Sequence, residues 1–335
     1  GIDETYGLIA GEPIAVQENG PHIAEILYKH TEANRLISDV VTNEADISLS
    51  PIGSGFWTSR EGRLNPVVNK APSVTFLVFG EAAGDPVVRE AVTCVVDVEF
   101  LRNNVLQGVA RPFDVAGAEA ESPCNGGDEK RLADAVSILQ ENGWTWDRHP
   151  TEPLLPAGKT LPGLRDGSGL SPSTSTLATV PGSVDPLRAT TALWIENWGR
   201  GLGIPIRIMD PDGEPLSGAR DSNLIDLPRF GTILQTDPST FPGLEVARII
   251  ASAGTPWSDL TTEHVTRIAM APDEASYEQA VFDFMQPLLA ENIIIPLYRH
   301  SRQDIYNDWV TLPYTEATDG FESIEHVLEA IRIER

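Results

Sequence analysis

No stretch of this 335-residue chain approaches the ~20 consecutive apolar residues that a membrane-spanning helix needs. The opening residues, Gly1-Ile2-Asp3-Glu4, supply neither the basic nor the apolar segment of an export signal. If the protein is exported, the expectation is that this sequence starts after the signal or in mid-protein. Basic residues are scarce: 24 Lys and Arg stand against 49 Asp and Glu, a net charge of −25. With no basic run interleaved with aromatics, such a chain repels phosphate backbones and acidic lipid, so nucleic-acid binding is not expected. Otherwise the charge serves solubility. Cysteine is nearly absent. Cys94 and Cys124 are too few for a four-ligand zinc site. Cys94 lies in an apolar helical pattern, where a buried free thiol is usual, and Cys124 in a polar loop. A bond between them would close a loop of about 30 residues and add roughly 3 kcal/mol; the sequence leaves both states open.

The familiar catalytic motifs are also missing. There is no phosphate loop. Gly199-Arg200-Gly201-Leu202-Gly203 follows a helical pattern and precedes a strand, the reverse of a dinucleotide fingerprint, and reads as a helix stop. Gly53-Ser54-Gly55 lacks the spacing of a nucleophile elbow. The six histidines never flank a glutamate at metal-protease spacing. Asp210-Pro211-Asp212-Gly213-Glu214 lacks the later ligands of a calcium loop and reads as a turn. Neither a catalytic residue, a metal nor a cofactor is expected.

What is present is a globular composition, 41% hydrophobic, with ten Phe, seven Trp and six Tyr. Strands are expected at 23–28, 45–50, 73–79, 204–208 and 293–298, from β-branched and aromatic runs. Helices are expected at 32–43, from Asp85 to about Asn104, from Asp128 to Gly143, from Asp185 to Trp198, at 273–290 and at 321–335, from apolar spacing and Asp-Pro or Asp starts. Pro150 to Pro186 reads as loop. Strands alternate with helices, so the class is α/β.

Four segments resemble, in order, the family 5 extracellular solute-binding proteins, the oligopeptide, dipeptide and nickel receptors of ABC importers. They are Ile26-Leu27-Tyr28 with Ala33-Asn34-Arg35 and Asn43-Glu44-Ala45-Asp46-Ile47; Asp85-Pro86-Val87-Val88-Arg89-Glu90-Ala91-Val92 with Val96-Asp97 and the Gly108–Pro112 turn; Leu139-Gln140-Glu141-Asn142-Gly143-Trp144; and Pro296-Leu297-Tyr298. Asp185 to Ile208 also fits a lobe helix and strand of that family. The resemblance begins after the family's first strand and subdomain, so the chain looks like the C-terminal two-thirds of a receptor.

The resemblance implies a periplasmic-binding-protein-like two-lobe fold (type II), with one lobe complete and the other partial. Lobe I would comprise residues 1–80 and 293–335 and lobe II residues 81–292, hinged near Gly80–Asp85 and Glu291–Ile295. It implies capture of a peptide or similar small solute, delivery to ABC permease subunits in the membrane, an extracytoplasmic location (periplasmic or anchored at the cell surface) and a monomer. Ligand-binding candidates are Trp57, Phe79, Arg111, Gln235, Asp237 and Tyr298. Trp57 in its glycine-rich loop stacks on cargo or packs in the core. Arg111 pairs with a ligand carboxylate or sits in solvent. Gln235 and Asp237 rest on the alignment, and Asp237-Pro238 equally suits a turn. Tyr298 would be half core and half cleft. The aspartate that grips the peptide amine in peptide receptors falls near Leu234, which puts peptide specificity in doubt. A cleft with one wall incomplete would bind weakly. The rival readings are a degenerate receptor lobe acting as a sensory or interaction module, and a hydrolase of unknown type.

Overall fold

The computed structural model describes residues 27, 36–48, 64–80, 85–106, 110, 112, 114–115, 118–119, 124–172, 174–180, 182, 185–208, 229–235, 244, 246–248, 250, 258–311 and 332–333. The chain divides into two compact units, one of residues 1–71 and 300–335 and one of residues 72–299. The strand and helix expected at 23–28 and 321–335 lie almost wholly outside the described residues.

In the first unit, helix α1 (Leu36–Val41) is followed by strand β1 (Ile47–Ser48). The turn between them uses Asn43 in the left-handed region, φ 63°, which asparagine tolerates better than most residues. Asn307 braces that turn, its Nδ2 donating to the carbonyls of Val40 (3.1 Å) and Ala45 (3.2 Å). The Trp309 indole donates to Asp46 at 3.0 Å. The Asn43–Ile47 segment therefore has a structural role.

The second unit holds a twisted mixed sheet. Its strands are β2 (Leu64–Phe79), which enters from the first unit, β3 (Ser175–Ala178), β4 (Ile206–Ile208), β5 (Arg229–Gln235) and β6 (Ile294–Asn307), which leaves toward it. The order across the sheet is β6-β2-β5-β3-β4. Strands β4 and β5 both run parallel to β3, and β2 runs antiparallel to β5 with Thr75 opposite Gln235 and Phe79 opposite Gly231. In the first unit β1 pairs antiparallel with the far part of β6, Ile47 against Tyr306.

Period-2 alternation along β2 separates two cores. Leu77 and Phe79 point into one and Val74, Phe76 and Val78 into the other, all 5% exposed or less. The first core is covered by α2 (Pro86–Val95), α3 (Asp128–Glu141) and α4 (Pro186–Gly201). The second is covered by α5 (Ser258–Ala269), α6 (Glu274–Ala290) and the helical residues 244, 246–248 and 250. Asp85, Asp185 and Asp273 cap α2, α4 and α6 through side-chain acceptance of backbone N–H groups.

Several sequence expectations need correction. The helix expected from Asp85 to Asn104 stops at Val95. Val96 is extended, and Asp97 starts a new turn, Val98–Phe100, by accepting the Phe100 N–H at 2.7 Å; the chain then makes a π-helical turn over Leu101–Val105. Gly127, not Asp128, is the N-cap of α3, and Asp128 lies in its first turn. Gly199 and Gly201 do not end α4; they lie inside it because the chain passes close by. A methyl at Gly201 would meet the Pro153 carbonyl oxygen at 2.5 Å, and one at Gly199 would collide with the Ile206 side chain. Only Gly203, with φ 93°, acts as the stop. Strands β3 and β5 and helix α5 were not expected at all.

Cys94 is not a free thiol. It is bonded to Cys124 with Cα atoms 5.0 Å apart. Beside the bond, the buried Arg131 donates from Nε to the Gly126 carbonyl (2.9 Å) and from Nη1 to that of Cys94 (3.5 Å), and Asp97 lies 3.6 Å from its Nε.

Candidate functional site

The topology of the second unit marks one edge of its sheet. After β3 the chain turns to α4, whose Ala192, Ile195 and Trp198 face the first core. After β5, the parallel neighbour of β3, it goes to helical residues 246–248 and 250, whose Val246, Ala247 and Ile250 face the second. Two adjacent parallel strands whose continuations leave to opposite faces form a topological switch point. The carboxyl ends of such strands leave a crevice that the following segments cannot fill, and ligands of open α/β sheets bind there.

Polar groups collect along this edge. Thr75 is the one polar residue in the run Val74–Phe79 and is fully buried. Its register partner at the end of β5 is Gln235. From the other neighbouring strand, the Tyr298 hydroxyl is hydrogen-bonded to Thr75 and lies 3.4 Å from Thr191 Oγ1 of α4. Thr191 in turn donates to the Leu187 carbonyl at 2.9 Å. At the head of α4, Asp185 accepts from the Leu187 and Arg188 N–H groups (3.1 and 3.0 Å) and pairs with Arg188 Nε at 3.2 Å. At the carboxyl end of β3, Thr179 is 5% exposed, and its Oγ1 is buried without a hydrogen-bond partner.

Burial pushes the Tyr298 phenol up to about 12, a shift that its bond to Thr191 opposes and the nearby Asp185 reinforces. At neutral pH it is an uncharged donor and acceptor. The row Tyr298–Thr75 with Thr191 and Thr179 can therefore hold hydrogen-bonding groups, and its described members offer no proton-transfer group poised near pH 7. Among the described residues, no three His, Cys, Asp or Glu side chains stand together as metal ligands.

Of the residues singled out in the sequence, Phe79 and Tyr298 are fully buried in the same core, and Gln235 sits at the switch-point edge. Phe79 lies toward the other end of the β2–β5 pairing, opposite Gly231. Trp57, Arg111 and Asp237 lie outside the described residues. Sequence reasoning missed Thr75, Thr179 and Thr191. A lone hydroxyl in an apolar strand was the available signal for the first. The second was hidden in a segment read as loop. Also missed was Arg89 of the second resembling segment, 4% exposed, whose Nε and Nη2 donate to the Glu291 carbonyl at the end of α6 (3.4 and 3.3 Å).

No family model matches the sequence, and no curated protein matches it. Solved structures do. NikA from Brucella suis in complex with Fe(III)-EDTA is 17% identical with a TM-score of 0.65, over 90% of this chain and 60% of that one. The oligopeptide-binding protein AppA from Bacillus subtilis, in complex with a nonapeptide, is 16% identical with a TM-score of 0.60, over 91% and 59%. NikZ from Campylobacter jejuni in complex with Ni(L-His) is 15% identical with a TM-score of 0.59, over 85% and 56%. The chain thus spans at most 60% of these three structures. The likeness shows the fold: this is the α/β fold of the two-lobed periplasmic-type binding proteins that the sequence resembles.

Proposed function

We propose that this chain is the major part of a solute-binding receptor of the oligopeptide and nickel type, serving an ABC importer outside the cytoplasm. The observation that carries the reading is the fold likeness over nine-tenths of the chain to proteins solved with a chelate or a peptide bound. Two features of the second unit agree with it. Its switch-point edge gathers hydrogen-bonding side chains and has Gln235 at its rim. The Cys94–Cys124 disulfide suits an oxidising compartment. In this reading residues 1–80 with 293–335 and residues 81–292 are lobes that close on a solute, excluding water and strengthening polar contacts. Trp57, Arg111, Gln235 and Asp237 are the proposed ligand contacts, and Phe79 and Tyr298 support them from the core. The cargo is a peptide or another small solute, the downstream partner is a membrane permease, and the protein works as a monomer without catalysing a reaction.

The test is a thermal-shift screen of the intact protein against free peptides, nickel–histidine complexes, ferric chelates and oligosaccharides. A true cargo at about a hundred times its Kd stabilises by roughly 2.7 kcal/mol, which is several degrees. A protein that none of these classes stabilises, but that pulls down a protein partner, would instead be a sensory or interaction module.

A further inference from the structure

Asn-Gly occurs three times in the sequence, at 19–20, 125–126 and 142–143. The first lies outside the described residues. The dipeptide is chemically labile, because glycine has no side chain to screen its main-chain nitrogen from the preceding carboxamide carbon. Attack requires that nitrogen to reach the carbon in a near-attack geometry and to give up its proton. Asn125 and Asn142 are both exposed, so solvent access does not separate them. Their hydrogen bonds do.

Asn142 is the C-cap of α3, at φ −101° and ψ 18°. Its Nδ2 donates to the Ile138 carbonyl at 2.9 Å, which holds the carboxamide back along the helix. The Gly143 N–H donates to the Gln140 carbonyl at 3.0 Å, and the Trp144 N–H to that of Leu139 at 3.0 Å. Both reacting groups are thus occupied, and releasing them opens the end of α3. At Asn125 neither is occupied. Among the described residues no group accepts the Gly126 N–H and none binds the Asn125 carboxamide. The flanks, by contrast, are fixed. Cys124 is bonded to Cys94, and Arg131 holds the next two carbonyls, that of Gly126 through Nε (2.9 Å) and that of Gly127 through its main-chain N–H (3.1 Å).

We infer that Asn125 is a site of spontaneous deamidation in the folded protein, and that the fold protects Asn142 from the same reaction. The Gly126 nitrogen gives its proton to a base in the solvent and bonds to Asn125 Cγ. The Cγ–Nδ2 bond breaks and the carboxamide nitrogen leaves as ammonia. Water then opens the resulting cyclic imide at either carbonyl, leaving aspartate or isoaspartate. Both products place a new carboxylate just ahead of α3, where a helix N-terminus favours negative charge. Isoaspartate also lengthens the main chain by one carbon between Cys124 and the carbonyls that Arg131 holds, so one of these anchors must loosen.

The experiment is peptide mapping of the intact, oxidised protein aged in mildly alkaline buffer, with electron-transfer fragmentation to tell isoaspartate from aspartate. Protein reduced and unfolded in urea is aged in parallel. In the folded protein Asn125 should convert at least about tenfold faster than Asn142, whereas unfolding should bring the two rates within about threefold of each other. Equal rates in the folded protein, a faster Asn142, or an Asn125 that reacts only after unfolding would overturn the inference. Asn125→Gln should remove the signal and keep the Tm within about 1 °C of the parent. Asn125→Asp should melt with the parent too, while aged protein should melt a few degrees lower in proportion to its isoaspartate. Aged, isoaspartate-rich protein that melts like Asn125→Asp would overturn the loosened anchor.

Discussion

The Tyr298 hydroxyl lies 3.4 Å from Thr191 Oγ1, joining strand β6 to helix α4. Either hydroxyl can donate in this bond, and Thr191 also donates to the Leu187 carbonyl. Tyr298→Phe should therefore cost about 1 kcal/mol, measurable by urea unfolding at pH 7.

The same tyrosine gives a pH signature. Its pKa is raised from 10.0 to about 12, so the folded state keeps the proton where the unfolded chain releases it. The stabilisation is fully present below pH 10 and lost as pH rises through 12, on the order of 2–3 kcal/mol in all. Comparing parent and Tyr298→Phe stability from pH 9 to 12 isolates it: the parent's advantage should vanish and then reverse as pH rises, whereas a constant gap would mean that the phenol titrates normally.

Replacing Cys94 and Cys124 together by alanine should lower stability by about 3 kcal/mol, because the bond closes a loop across 30 positions. Reduction of the parent should reproduce the loss. Intact mass after alkylation without reductant should find no labelled thiol.

Arg89 is 4% exposed and donates twice to the Glu291 carbonyl. Desolvation lowers its pKa, but it stays charged. Arg89→Met should cost about 2 kcal/mol, since the helix-end carbonyl loses two donors and water cannot easily replace them. Lysine, lacking the fork, should restore little of this in the same unfolding assay.

Gly201→Ala gains helix propensity yet should destabilise by about 1–3 kcal/mol, because the added methyl meets the Pro153 carbonyl oxygen at 2.5 Å, a backbone atom that cannot rotate away. Ser137→Ala, on the exposed face of α3, serves as the control and should leave the midpoint nearly unchanged.

The sequence made the covering helices legible and the middle of the sheet largely illegible. Asp85, Asp185 and Asp273 announced their helices because a capping carboxylate and an apolar stripe are local features. The α/β class, the strand at Ser73–Phe79 and the family resemblance followed from equally local patterns. Strands β3 and β5 escaped because short strands of a parallel pair lack strict alternation, and Ser175–Ala178 lies among Pro, Gly and Ser. With them went the switch point and Thr179, which exist only once two strands far apart in sequence are placed side by side. The disulfide stayed open for the same reason: spacing cannot say that the Cα atoms of residues 94 and 124 come within 5.0 Å.

Strand β2 is the earliest part of the second unit's sheet to be synthesised, yet its pairing partners arrive late. Phe79 pairs with Gly231, about 150 positions later, and bonds through its N–H to Ile293, over 200 positions later. Until those segments emerge, Val74-Thr75-Phe76-Leu77-Val78-Phe79 is an apolar, β-prone hexapeptide with no charge and no proline, the composition that self-associates most readily. A nascent chain of this design spends much of its synthesis with its stickiest segment unpaired. It should depend on a holding chaperone until its last strand is made.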